Sequence, residues 1–179
     1  MNEYQPFPDV ARRNLMQEHL EVPALIHGLR LPHGARVLEV GCGRGIALPV
    51  LERMCTPSRL VGIDIDAALI ARARDYLASR ACHAELRVGD VRELPFDDHT
   101  FDLVIDFGTC YHVDHAADAL HEVERVLTPG GLFIHETPLS QLLSHPVRTR
   151  GRSLPWHAAP TLTPLRTAGL WSTRARLAV

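Results

Sequence analysis

Five short apolar runs, separated by longer stretches of helical or turn character, set the fold class of this chain. They are Val37–Val40, Leu60–Ile63, Leu86–Val88, Phe101–Ile105 and Leu132–Ile134. Near-continuous apolar runs of this length suit strands covered on both faces, as in a parallel sheet. Between the first two, residues 46–54 read as a helix. Residues 67–80 place Leu69, Ile70, Ala73 and Leu77 on one helical face, with Asp66 positioned to cap the free N–H groups of the first turn. Residues 116–127 place Ala116, Leu120, Val123 and Leu127 on another, ahead of the turn signal Pro129-Gly130-Gly131. Strand, helix, strand, repeated four times, predicts an α/β fold: a doubly wound, mainly parallel sheet with helices on both faces.

The ends are less regular. Residues 9–30 read as one or two amphipathic helices punctuated by Pro23, covering the ligand edge of the sheet. Residues 137–160 carry prolines and the arginines Arg148, Arg150 and Arg152, with little periodicity. A helix at Leu162–Ala168 and a strand at Trp171–Ala178 are expected to follow. The 179 residues suffice for one sizeable core. The expectation is a single domain over 1–179, made of a helical lid (1–30), a ligand-binding core (31–136) and an acceptor-side region (137–179).

A net charge of −2 supplies no electrostatic reason for nucleic acid or an anionic membrane as partner. Cys42, Cys55, Cys82 and Cys110 form no CxxC pair, which argues against a disulfide framework or zinc knuckle and suits a reducing compartment. The first residues lack the pattern of a secretory signal, and no run approaches the ~18 apolar residues of a membrane span. A cytoplasmic location is the expectation.

The segment Glu39-Val40-Gly41-Cys42-Gly43-Arg44-Gly45 follows one predicted strand and precedes a predicted helix, the context that a nucleotide-binding glycine turn requires. Its ligand would lie beyond the carboxyl ends of the strands, at the switch point of the sheet. Dinucleotide dehydrogenases use G-x-G-x-x-G; here the third glycine comes one position early, and Ile46 stands where it belongs. Asp64 ends the second strand, where a carboxylate can accept both hydrogen bonds of a ribose diol.

With the neighbouring segments, the turn resembles motif I of the class I S-adenosylmethionine-dependent methyltransferases, in particular the small-molecule branch. The likeness runs in register from Val37–Gly45 through Val61-Gly62-Ile63-Asp64, Gly89–Phe96 and Phe101–Val104 to His121–Gly131. It covers residues 36–136 with five motifs in the family's order. The resemblance implies a Rossmann-like sheet, S-adenosyl-L-methionine as cofactor and S-adenosyl-L-homocysteine as product. It implies that Gly41, Cys42, Gly43 and Gly45 wrap the methionine portion, with Glu39 near its amino end. Asp64 would bind the ribose and Ile65 would pack on the adenine. Asp90 would accept from the adenine amino group, the Val91 N–H would donate to a ring nitrogen, and the Asp106 carbonyl would face the methionine ammonium. The family has seven strands, the last two antiparallel; this chain leaves room for about one convincing strand after the fifth, so either the edge is abbreviated or residues 137–160 hold a strand that the pattern does not show.

Methyl transfer from a sulfonium needs little covalent help, because the methyl group is already activated and catalysis can come from holding the acceptor in line. An acceptor that arrives protonated also needs a base. Asp106, Tyr111, His112, His135 and Glu136 are candidates, and His112 is preferred because Tyr111-His112-Val113 matches a family position that often carries a histidine beside the methyl group. Packing of His112 within its loop is an equally simple reading. Tyr4 could fold over the cofactor, although an exposed terminus is the plainer expectation. His112, His115 and His121 match no standard metal spacing, so no metal is expected. The arginines at 148, 150 and 152 could receive an acidic acceptor or could simply be solvated. Cys42 and Cys110 read as packing. The expected function is transfer of a methyl group to a small-molecule acceptor, by a monomer or homodimer without nucleic acid. The alternatives are a non-catalytic protein that binds the same cofactor and, further off, an NAD-dependent oxidoreductase.

Overall fold

A computed structural model describes residues 10–27, 29, 31–110 and 112–135, together with short strand segments at 148–149, 152–153 and 172–173. The expectations for Tyr4, Tyr111, Glu136, Arg150 and the helix at Leu162–Ala168 lie outside the described residues.

The chain opens with a continuous helical run: α1 (Val10–Met16), a π-helical turn (Gln17–Glu21) and α2 (Val22–Ile26). The run stays helical through Pro23, which stands in α2 directly after the π-helical turn. The core follows as β1 (Arg36–Val40), α3 (Leu48–Cys55), β2 (Arg59–Asp64), α4 (Ala67–Ser79), β3 (Glu85–Val88), β4 (Phe101–Asp106), α5 (Ala116–Val126) and β5 (Leu127–His135). Two short strands, β6 (Arg148–Thr149) and β7 (Arg152–Ser153), pair with each other, and β8 (Ser172–Thr173) lies antiparallel to β5 at Phe133 and Ile134. The sheet order is β3-β2-β1-β4-β5-β8, with the first five strands parallel.

Alternating residues of the inner strands feed two cores. Val37 and Leu103 join Val22, Leu48, Leu51, Ile70 and Leu77 on the side of α2, α3 and α4. Leu38, Val40, Val61 and Val104 join Phe101, Ala119, Val123 and Val126 on the side of α5. Large side chains such as Leu38, Leu51 and Ile105 are fully buried, each worth about 1.5–3 kcal/mol of transfer free energy. Asp66 caps α4 as its position implies, accepting from the N–H groups of Ala68 and Leu69.

Three expectations are corrected. The buried face of α5 is Ala119, Val123 and Val126, while Leu120 is exposed. The helix ends at Val126, so Leu127 begins β5 and takes its burial from the strand. Pro129-Gly130-Gly131 does not separate helix from strand but lies within β5, where the pairing jumps from Phe101–Leu127 to Leu103–Leu132. That jump is an irregularity of the bulge kind, which glycine tolerates. No helix connects β3 to β4; residues 89–100 form turns that bury Val91 and Leu94 against the α5-side core.

Candidate functional site

The strand order reverses between β1 and β4, and the carboxyl ends of β1, β2, β4 and β5 meet there. Val40 is paired with both Ile63 and Asp106, and Asp106 with His135. This is the crevice in which a doubly wound sheet binds its ligand.

The glycine turn leaves β1 at this point. Gly41, Gly43 and Gly45 all have φ between +53° and +74°, a conformation costly for any residue with a Cβ. The glycines are not equivalent. A Cβ on Gly45 would stand 2.7 Å from Leu77 Cδ1 and 3.3 Å from Ala73 Cβ, so this glycine lets the turn pack on α4. A Cβ on Gly43 would meet nothing within 4 Å. The Cys42 N–H donates to the Ile63 carbonyl at 3.0 Å, and the Gly45 N–H to the Cys42 carbonyl at 2.8 Å. Burial pushes the thiols of Cys42 and Cys110 up, which keeps them protonated and apolar in behaviour, as a packing role requires.

Asp64 ties the turn to β2. Its Oδ2 accepts from the Gly43 N–H at 2.8 Å and its Oδ1 from the Asp66 N–H at 2.9 Å. Each oxygen retains a second lone pair, so these bonds leave capacity for a diol. Ile65, next in sequence, is 63 % exposed, an apolar platform beside that carboxylate.

Glu39 and Asp106 complete an acidic cluster. Glu39 is buried and its Oε2 has no hydrogen-bond partner. Burial, together with the neighbouring charges of Asp64 and Asp106, pushes its carboxyl up to about 8. Asp106 is wholly buried; it accepts from the N–H groups of Thr109 and Cys110, and its Oδ2 lies 2.7 Å from His135 Nδ1. The His135 ring stacks on Phe133, with centroids 5.5 Å apart.

Asp90 begins the turn after β3, and Val91 is buried beside it. The Asp90 carboxylate is already held by Arg92, through Nε at 3.0 and 3.1 Å and through the backbone N–H at 2.9 Å. That guanidinium holds the carboxyl below its usual range. His112 is exposed on the loop after β4, its amide donating to the Thr109 carbonyl at 2.9 Å. His121 lies 3.8 Å from Glu124, and His115 stands at the start of α5.

The structure therefore gathers Glu39, the glycine turn, Asp64 and Asp106 into one crevice, sets Ile65, Asp90 and Val91 along one side, and leaves His112 on a loop. Sequence reasoning missed three partnerships: Arg92 with Asp90, His135 with Asp106, and Glu18 with α4. The first has a local signal, a basic residue two positions after an acid. The other two join residues 29 and 62 positions apart, which no local pattern reveals.

The model of the family described as "Methyltransferase domain" matches residues 38–135, more than half of the chain and the whole of this crevice. The chain belongs to the S-adenosylmethionine-dependent methyltransferases. Phthiotriol/phenolphthiotriol dimycocerosates methyltransferase of Mycobacterium tuberculosis is 35% identical over 133 residues, covering 74% of this chain and 45% of that one. The fatty-acid O-methyltransferase of Mycolicibacterium smegmatis is 38% identical over 104 residues, 57% of this chain and 36% of that one. The chain thus spans less than half the length of these curated relatives. Among solved structures, a Pyrococcus horikoshii protein is 33% identical with a TM-score of 0.60, over 76% of this chain and 63% of that one. A methyltransferase from Aquifex aeolicus, 18% identical, shares the fold with a TM-score of 0.62 over 88% and 87% of the two chains.

S-adenosylmethionine is the cofactor of this methyltransferase family, and the residues present fit it. The molecule is a cation with an ammonium and a sulfonium. The crevice offers it three acidic side chains, one with an unpartnered buried oxygen, and a glycine cradle whose middle member faces open space.

Proposed function

We propose that this methyltransferase transfers the methyl group of S-adenosylmethionine by in-line displacement to a small, lipid-like acceptor. The observation that carries the reading is the cluster of Glu39, Asp64 and Asp106 at the glycine turn, where a cationic ligand would favour the charged form of the buried Glu39. The lipid-like class is suggested by the names of two relatives, which refer to a dimycocerosate and to a fatty acid.

In this reading Gly41, Cys42, Gly43 and Gly45 enclose the methionine chain, and Glu39 and the Asp106 carbonyl receive its ammonium. Asp64 binds the ribose hydroxyls. Ile65 covers the adenine, while Asp90 and the Val91 N–H read its edge; Asp90 then shares its oxygens between the adenine amino group and Arg92. Bound there, the cofactor supplies a methyl group already activated by positive sulfur. The protein's share is alignment: the strand ends fix the donor, and the loop after β4 with the end of β5 holds the acceptor. We assign His112 to the acceptor side of this loop. A cytoplasmic, monomeric or homodimeric enzyme that works without nucleic acid completes the proposal; among the described residues no helix is long and apolar enough to cross a membrane.

Calorimetric titration with S-adenosylhomocysteine tests the reading. Binding is expected, with a rise in thermal midpoint, and NAD should give neither. Asp64→Asn weakens the diol contacts and also sets an NH2 group, which cannot accept, against the Gly43 or Asp66 N–H, and should loosen binding about tenfold or more, at least one to two hydrogen bonds' worth. No heat and no thermal shift with the homocysteine compound would sink the proposal.

A further inference from the structure

Between α1 and α4, beside the glycine turn, lies a cavity of about 610 Å³. The residues that form the crevice, Glu39, Gly43, Asp64 and Asp106, do not line it, so it is a separate space. Its walls are two helix faces: Ala11, Leu15 and Glu18 on one, and Arg72, Tyr76 and Arg80 on the other, each set spaced three or four residues apart. Glu18, Tyr76 and Arg80 satisfy one another at one end. Arg72 stands eight residues before Arg80, about 12 Å away along α4 at the helical rise. Arg44 enters from the glycine turn. Among the described residues, neither Arg44 nor Arg72 has a hydrogen-bond or ion-pair partner. Arg44 is half-buried, so its guanidinium gives up hydration and receives no anion in return. Asp75 also lines the cavity, exposed on α4 and paired with neither arginine. The Glu18–Arg80 pair is balanced, which leaves two positive charges against one negative. Leu15, 56% exposed, and Ile46 supply apolar surface in the same space.

We propose that this cavity is a second binding site, distinct from the cofactor crevice, for a carboxylate that carries an alkyl chain. A free fatty acid is the simplest such molecule. Its head lies between Arg44 and Arg72, whose planar forks suit a carboxylate, and its chain runs over Leu15 and Ile46. The net single positive charge of the lining selects a monoanion; a doubly charged phosphate would be left with an excess charge facing Asp75. Concave walls strengthen the field of the two guanidiniums on such a head. No reaction is assigned to the site. Because Arg44 stands between Gly43 and Gly45, its occupant and the cofactor would sit on opposite sides of one turn.

The test titrates octanoate into the nitrogen-15-labelled full chain and follows the backbone amides. Acetate, which lacks the chain, octan-1-ol, which lacks the charge, and inorganic phosphate serve as controls. Saturable shifts are expected in residues 11–15, 44–46 and 72–76. Octanoate should bind about tenfold or more tightly than any control, since each lacks either the buried chain or the matching charge. Arg72→Gln should loosen octanoate about fivefold, a charge-assisted contact discounted for an exposed side chain, and should leave octan-1-ol unchanged. Asp75→Asn should tighten octanoate about twofold, the size of an exposed charge contact. Both positions are exposed on α4, so both variants should fold. Shifts centred instead on residues 106–115, equal affinity for octan-1-ol, tighter binding of phosphate, or no effect of Arg72→Gln would each overturn the proposal. So would loss of octanoate binding when S-adenosylhomocysteine saturates the crevice, because the two sites would then be one. Failure of S-adenosylhomocysteine to bind at all would overturn only the methyltransferase reading, since the octanoate titration does not depend on it.

Discussion

Glu39 is buried between two other acids with one oxygen unpartnered, and its carboxyl is raised from an ordinary 4.5 to about 8. Because the folded protein holds this proton more tightly than the unfolded chain, the group favours the fold at low pH. That contribution is lost as pH climbs from about 4.5 through 8, at roughly 1.4 kcal/mol for each unit crossed. Glu39→Gln removes the titration. The ligand-free variant should therefore melt several degrees above the parent at pH 8, and the gain should shrink towards pH 6, where the parent is protonated. Binding should move the other way. A cation favours the charged carboxylate, so S-adenosylmethionine should expel a proton from the parent near pH 7, seen as a buffer-dependent heat, and should bind the variant more weakly without that release. A binding heat independent of buffer would remove Glu39 from the cationic contact. The sequence marks Glu39 as a neighbour of the amino end through its place in the motif. Its isolation is a product of the third dimension, since Asp64 and Asp106 arrive from other strands.

The glycine turn between β1 and α3 illustrates what one element can conceal. Its three glycines read alike, yet the fold uses them differently. Gly45→Ala should destabilise the protein by about 2–4 kcal/mol, combining left-handed strain with overpacking against Leu77 and Ala73. Gly43→Ala carries the strain alone, about 1–2 kcal/mol, because its Cβ meets no protein atom. Into that same space the ligand should come, so Gly43→Ala should lose S-adenosylhomocysteine affinity out of proportion to its stability. Denaturant melts and calorimetry on the two variants would separate these roles; parallel losses in both properties would merge them. Periodicity located the elements because burial on both faces imposes it: four of the first five strands lie within a residue or so of their apolar runs. It failed where a tertiary contact decides. The inward face of α5 is set by how the helix sits on β4 and β5, which brings in Ala119 and Val126 and leaves Leu120 outside. The register irregularity in β5 turns a turn signal into a strand interior, and the β3–β4 connection buries Val91 and Leu94 without any helix.

The parallel sheet explains how the crevice forms, but the N-terminal helices must also be fastened to it. Their fastening is Glu18, in the π-helical turn. It is buried, receives Tyr76 Oη at 3.0 Å, and is gripped by Arg80 through two nitrogens at 2.6 and 3.1 Å. Tyr76 and Arg80 belong to α4 and its carboxyl end, so this contact joins residues 10–26 to the cofactor-binding core. It holds α1 beside Arg44 and Ile46 of the glycine turn, across a cavity of about 610 Å³. The sequence predicted helices near the ligand edge from amphipathic pattern alone; it could not say what anchors them, because the anchor spans 62 positions. Burying a carboxylate is costly, and the pair offsets that cost only while both partners are present. Arg80→Ala leaves the Glu18 carboxylate inside with Tyr76 as its remaining partner. The expected loss is about 1–3 kcal/mol, kept below the full buried-pair value because the Arg80 side chain is 43% exposed. Adding Glu18→Gln removes the stranded charge, since a neutral amide can still accept from the tyrosine. The double variant should therefore be more stable than Arg80→Ala alone, and limited proteolysis within residues 10–26 should slow again in step. A double variant no more stable than the single one would mean that the ion pair does not fasten the N-terminal helices to the sheet.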